Sequence, residues 1–173
     1  GDRTIWGGEF LAAGYGGFER LGRLRHIPLA GGDAAVREPW RAALGCLMDA
    51  LGPDAPFEAA PERRVSVVRR MIATGLNTVP TSSCGRLFDA VASLIGLRHE
   101  VTFEGQAAIE LENIAEDGAG EAYPFDLEAG PLWQVDFRST IRRIVRDVRA
   151  GARPGVVSAK FHSALAAAIV EMC

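Results

Sequence analysis

The 173-residue sequence has little of what marks a metal site, a disulfide scaffold or a membrane protein. It holds three histidines and three cysteines. His26, His99 and His162 lie far apart, with no His or Cys at the close spacings of zinc sites, so they read as surface or partly buried side chains and not as ligands. Cys46, Cys84 and Cys173 are odd in number and widely spaced, which implies reduced thiols. The longest apolar stretch, Ser163 to Met172, carries Glu171 and falls short of the about 20 residues that span a bilayer. The start, Gly1-Asp2-Arg3-Thr4-Ile5-Trp6, lacks the basic and apolar regions of a signal peptide, so a cytoplasmic location is expected. No charge dominates: 19 basic against 22 acidic residues give −3, with no field to draw in nucleic acid or an acidic membrane. Any anionic ligand must be held by local geometry. No internal repeat or low-complexity tract is present.

What remains is an ordinary globular composition, 48% hydrophobic and 24% charged, enough for one sizeable core. Two runs, Thr4–Ala13 and Phe18–Pro28, flank Gly14-Tyr15-Gly16-Gly17 and predict a β-hairpin over residues 1–29. Residues 30–116 read as helical. A helix opens at Glu38-Pro39-Trp40 and ends at Gly52-Pro53; a second runs from about Pro61 to Thr74, stopped by Gly75; a third follows the capping candidates Thr81, Ser82 and Ser83; a fourth covers about Gly105 to Ala115. Residues 117–138 predict a second hairpin, Glu121–Leu127 with Leu132–Arg138. Residues 139–173 hold two helices, Ser139–Ala150 capped by Ser139, and about Pro154–Met172. The fold class is thus α+β, mainly helical, a bundle with two small hairpins. The first hairpin has no third strand in view, and a two-stranded unit is marginal in water. It is expected to join a larger sheet from chain outside this sequence or from another copy, with self-association as a consequence.

Chemistry concentrates in a few places. Asp89 sits two residues from both Leu87 and Val91, about 200° round the helix from their apolar stripe, and is expected to face outward. A carboxylate fixed on a helix can accept two hydrogen bonds from a vicinal diol such as a ribose; the competing role is an i,i+3 pair with Arg86, which spacing alone favours. Gly105 begins a helix followed by small residues, where bare backbone lets a ligand approach and first-turn N–H groups favour an anion or polar edge. Gly31, Gly32 and Asp33 form a flexible loop that could border a cleft, although Asp33 more simply caps the next helix. Cys84 stands near a helix N-terminus without a histidine neighbour in sequence.

Four runs in order resemble signatures of the HypF family of hydrogenase-maturation carbamoyltransferases. They are Thr4-Ile5-Trp6-Gly7-Gly8-Glu9-Phe10, Leu29-Ala30-Gly31-Gly32-Asp33-Ala34-Ala35 with Arg37-Glu38-Pro39-Trp40-Arg41, Ser82-Ser83-Cys84-Gly85-Arg86-Leu87-Phe88-Asp89-Ala90-Val91, and Phe103-Glu104-Gly105-Gln106-Ala107-Ala108-Ile109-Glu110-Leu111-Glu112. Pro154 to Ala166 is similar to the helix that precedes that family's glycine-rich nucleotide loop. The resemblance implies an internal piece of the C-terminal carbamoyl-transfer domain, of the actin-like, ASKHA-type fold shared with TsaD-type enzymes. It implies a reaction in which a carbamoyl group from carbamoyl phosphate is activated with ATP as carbamoyl-adenylate and passed to the C-terminal cysteine of HypE, toward the cyanide ligand of nickel–iron hydrogenase. By the same resemblance Asp89 corresponds to a ribose-contacting aspartate, Gly105 to a glycine lying against the nucleotide, and Glu110 to a nearby acidic contact. The family's iron or zinc ligands match nothing in this sequence, so little activity is expected of the chain alone. Two other readings stand beside this one. The first is a non-catalytic helical module docking HypE through the second helix, with Arg63, Arg64, Arg69 and Arg70, and the second hairpin. The second is a TsaD-like or O-carbamoylating relative, against which the Trp6-Gly7-Gly8-Glu9 and Gly31-Gly32-Asp33 runs speak.

Overall fold

The computed structural model describes residues 2–118 and 120–173. Among the described residues seven helices and six short strands follow one another in an α+β arrangement. The helices follow their sequence signals closely. Pro39 at the first position starts α2 (Pro39–Leu51); Gly75, in the left-handed region at φ 71°, ends α3 (Glu62–Thr74). Ser83 caps α4 (Cys84–Leu94), its hydroxyl accepting from the Arg86 amide at 3.4 Å. Helix α5 covers Gln106–Asn113, α6 Arg138–Arg149 and α7 Pro154–Met172.

Two caps differ from expectation. Helix α1 (Asp33–Arg37) is entered through Gly32 at φ 54°, and Asp33 lies in its first turn without capping it. Asp136, not Ser139, satisfies the start of α6: its Oδ1 accepts from the Arg138 amide at 2.8 Å, while the Ser139 hydroxyl donates to the Pro124 carbonyl. The carboxylate wins because the chain turns from strand into helix at that point, three residues earlier than the serine.

Strands β1 (Glu9–Gly14) and β2 (Gly17–Leu24) form the first hairpin, with a bulge between Phe10 and Leu11. Its missing neighbour comes from this same chain, which corrects the expectation of an outside strand. Gly22, Arg23 and Leu24 pair in parallel with Trp133, Gln134 and Val135 of β6 (Trp133–Asp136), which pairs antiparallel with β5 (Asp126–Glu128). The two hairpins therefore fuse into one sheet, ordered β1-β2-β6-β5. A second sheet pairs β3 (Ile27–Ala30) with β4 (Thr78–Thr81), where the sequence suggested only hairpin end and loop.

Helix α2 is the hub, with nine of its thirteen residues buried, packed on α4, α6 and β3. Gly45 lets it approach β3: a Cβ there would come within 2.4 Å of the Pro28 carbonyl oxygen. The main core joins Leu24, Leu87, Val91, Leu111, Val135, Ile144 and Phe161; a smaller one gathers Trp40, Leu44, Val65 and Val68 beneath α3. Counted as a helix, α7 has 19 residues at mean hydropathy 1.2, so by length and composition it is apolar enough to cross a membrane, which the shorter run Ser163–Met172 concealed. Its Val157, Phe161, Ala164 and Ala168 are spent on the main core.

Candidate functional site

The surface of α4 opposite the Leu87–Val91 stripe is roofed by the end of α1 and the segment 101–105. The Val101 amide donates to the Arg37 carbonyl at 2.9 Å, and an Arg86 Nη1–H reaches the Val36 carbonyl at 3.4 Å. This roof leaves a cleft of about 280 Å³ lined by Val36, Arg37, Arg86, Asp89, Val101, Thr102, Phe103, Glu104 and Gly105. Asp89 and Gly105, from different helices, meet there.

Asp89 does not face open solvent as its helical position suggested. It is 4% exposed, because α4 is covered on both sides, and it forms part of the cleft's lining. Arg86 Nη1 stands 2.6 Å from its Oδ2, so the i,i+3 pair exists, yet no donor is aligned to that oxygen as a hydrogen bond. Burial pushes the carboxyl up to about 6 against the pull of Arg86. A buried, incompletely satisfied acceptor on a rigid helix at the base of a cleft is a group built to take a donor from outside.

Gly105, at φ 78°, is the N-cap of α5. A Cβ there would meet only Ile109 Cδ1, at 3.9 Å, so glycine is required for its backbone conformation and leaves uncovered main chain on the cleft wall. Gln106 fixes that wall: its Oε1 accepts from the Thr102 amide at 2.9 Å and hydroxyl at 3.2 Å, and its Nε2 donates to Glu110 at 2.9 Å. Glu110 in turn takes both Arg98 donors, at 2.8 and 2.6 Å, which hold its carboxyl below the usual range. Glu110 thus braces the wall from behind and is not among the lining residues. Gly31, Gly32 and Asp33 stand at the far end of α1; of that helix only Val36 and Arg37 reach the cleft.

Three lining groups escaped sequence reasoning: Arg37, the exposed ring of Phe103, and Arg86 as more than a helix-surface partner. Phe103 directly before Glu104-Gly105 was the available signal, an aromatic next to a glycine turn. Elsewhere, Arg64 of α3 is tied to Glu38 and Glu100, and Arg69 to the Pro53 and Ala55 carbonyls, so half of the proposed docking arginines serve the fold. Burial raises the Cys84 thiol, against a reactive thiolate. Among the described residues no three His, Cys, Asp or Glu side chains gather as a metal site, so no step is assigned to a metal.

This fold and cleft define a recognised class: residues 1–173 match the family model described as the second subdomain of the Kae1-like domain of a carbamoyltransferase. The chain belongs to the HypF carbamoyltransferase family. It is 40% identical to the carbamoyltransferase HypF of Rhodobacter capsulatus over 96% of its own length and 22% of that protein's. It is 45% identical to HypF2 of Cupriavidus necator over 71% of its length and 15% of that protein's. The crystal structure of a full-length HypF in its phosphate- and nucleotide-bound form superposes with a TM-score of 0.91 at 35% identity, covering 98% of this chain and 22% of that one. The crystal structure of T. kodakarensis HypF gives a TM-score of 0.82 at 30% identity over 98% of this chain and 24% of that one. The chain spans about a fifth of the length of these relatives.

Proposed function

We propose that this chain supplies one wall of the nucleotide cleft of an ATP-dependent HypF carbamoyltransferase, within an actin-like, ASKHA-type domain. In this reading the intact protein makes carbamoyl-adenylate from carbamoyl phosphate and ATP, in the cytoplasm, and transfers the carbamoyl group to the C-terminal cysteine of HypE for the cyanide ligand of nickel–iron hydrogenase. The thiol gives up its proton to solvent and its sulfur bonds to the carbamoyl carbon, as the bond between that carbon and the adenylate phosphate oxygen breaks and AMP leaves with the electron pair. The metal of that reaction, iron or zinc, would be held by residues other than these, and this chain alone would have little activity. Its own contribution is recognition: Asp89 accepts from the ribose hydroxyls, and the bare backbone at Gly105 lies against the nucleotide.

The single observation that carries this reading is the convergence of Asp89 and Gly105 on one cleft, with an Asp89 oxygen that, apart from its ion pair with Arg86, takes no hydrogen bond among the described residues. The deciding experiment is calorimetric titration of the intact protein with ADP and with its 2′,3′-dideoxy analogue. Asp89→Ala is expected to lose about 1–3 kcal/mol of ADP affinity, the worth of a charged hydrogen bond. The dideoxy compound should bind wild type and variant alike. Equal ADP affinity in both proteins would remove Asp89 from the site.

A further inference from the structure

Arg86 is held at both ends. Its amide donates to the Ser83 hydroxyl in the α4 cap, and its guanidinium, 2.6 Å from Asp89, also points an Nη1–H at the Val36 carbonyl of α1. Its side chain is 16% exposed and that of Asp89 is 5% exposed, so the pair is largely shut off from bulk water. The other charged groups lining the cleft are Arg37 on α1 and Glu104 on the roof segment; α5 contributes the uncharged Gly105 at its cap. Burial raises the Asp89 carboxyl, and among the described residues it is the Arg86 charge that pulls it back down.

We infer that Arg86 is a positioning residue for diol recognition: fixed by α1 and the α4 cap, it keeps Asp89 an ionised acceptor aimed into the cleft. The inference rests on the ribose-binding reading of Asp89 and goes one step past it. Two diol hydroxyls need acceptor oxygens, and a protonated carboxyl group converts one of these into a donor. Burial without a counter-charge drives a carboxyl toward that protonated form. Arg86 therefore acts through Asp89, by setting which of its two protonation states the ligand meets.

The test is ADP affinity of the intact protein measured across roughly pH 6 to 9, a span that covers a raised carboxyl titration, for wild type, Arg86→Gln, Arg86→Lys and Asp89→Ala. Arg86→Gln is expected to bind more than tenfold more weakly near neutrality and to recover toward wild type at the alkaline end. Arg86→Lys, which restores a cation, should track wild type. A loss in Arg86→Gln that is the same at every pH, or no loss, overturns the role of Arg86. Undiminished binding by Asp89→Ala sinks the ribose reading beneath it, a different and separable outcome. Adding Asp89→Ala to Arg86→Gln should abolish the pH dependence, since the titrating group is gone; a persisting slope would place it elsewhere and overturn the inference.

Discussion

At the level of single residues the cleft costs the fold stability. Asp89 has its carboxyl raised by burial to about 6, above its ordinary unfolded value. A group raised in the folded state contributes stability that is complete below the unfolded pKa and is lost as pH rises through the folded one, so ionised Asp89 destabilises the chain near neutrality. Asp89→Asn is therefore expected to stabilise it at pH 7 by about 1–3 kcal/mol while weakening ADP binding, and denaturant unfolding reads the first effect. A variant less stable than wild type would show that the Arg86 pair outweighs desolvation. Glycines are the other decisive single residues. A Cβ on Gly8 would stand 2.2 Å from the Ser82 carbonyl oxygen and 2.7 Å from Leu24 Cγ, both in packed surroundings. Gly8→Ala should cost about 2 kcal/mol or more, read as a lowered urea midpoint. Neither effect was visible in sequence. The helical position of Asp89 was legible, but which neighbour covers α4 depends on segments 36–37 and 101–105, and periodicity within one helix says nothing about a partner so distant in the chain.

Among elements, the junction of β6 and α6 depends on one carboxylate. Asp136 has a side chain 2% exposed and accepts from both the Arg138 amide and its guanidinium. Burial pushes its carboxyl up, but Arg138 and then Arg25 more than reverse this and hold it below the usual range. A depressed carboxyl contributes stability above the unfolded pKa and loses it as pH falls through the folded one. The chain should thus lose stability below about pH 4. Asp136→Asn should be less stable at pH 7 by about 1–3 kcal/mol, with a flatter acid limb in thermal melts between these pH values. The helices themselves were readable: α2, α3, α4 and α7 lie within a residue or two of where Pro39, Gly75, Ser83 and Pro154 placed them. Strands β3 and β4 were not, because each has four residues, each contains a proline, and their alternation is too short to register. Their pairing is stabilised by α2 and α3 packed on β3, a tertiary cause with no local signature.

Across the whole molecule, the four-stranded sheet joins residues 9–24 to residues 126–136. The Arg25 amide donates to the Val135 carbonyl at 2.8 Å, and Val135 is fully buried beside Leu24. Val135→Ala should cost about 1–3 kcal/mol and accelerate hydrogen exchange at Leu24 and Arg25 together, although neither residue is altered. Exchange that changed only within β5 and β6 would mean that the two hairpins are independent. The overall class, mainly helical with two hairpins, was legible from composition and turns; the fusion of those hairpins was not, because parallel pairing leaves no turn signal between its partners. The family was legible for a different reason, since glycine and acidic runs such as Trp6-Gly7-Gly8-Glu9 are fixed by close contacts of their own. Glu9 accepts from the Gly7 and Gly8 amides, Arg20 and Ser82 at once.

The register that sets Gly22 beside Trp133 also has a history in time. During synthesis the β1–β2 hairpin can close as soon as Leu24 clears the ribosome, yet its neighbour β6 emerges only after more than a hundred further residues. At translation rates of about 5–20 residues per second, that leaves the β2 edge without its native neighbour for roughly 6–20 seconds. Through that interval the nascent hairpin offers a strand-length template to any other extended segment nearby. The parallel seam is thus where crowded ribosomes or a holdase chaperone would bear on the yield of this protein, long before any ligand is met.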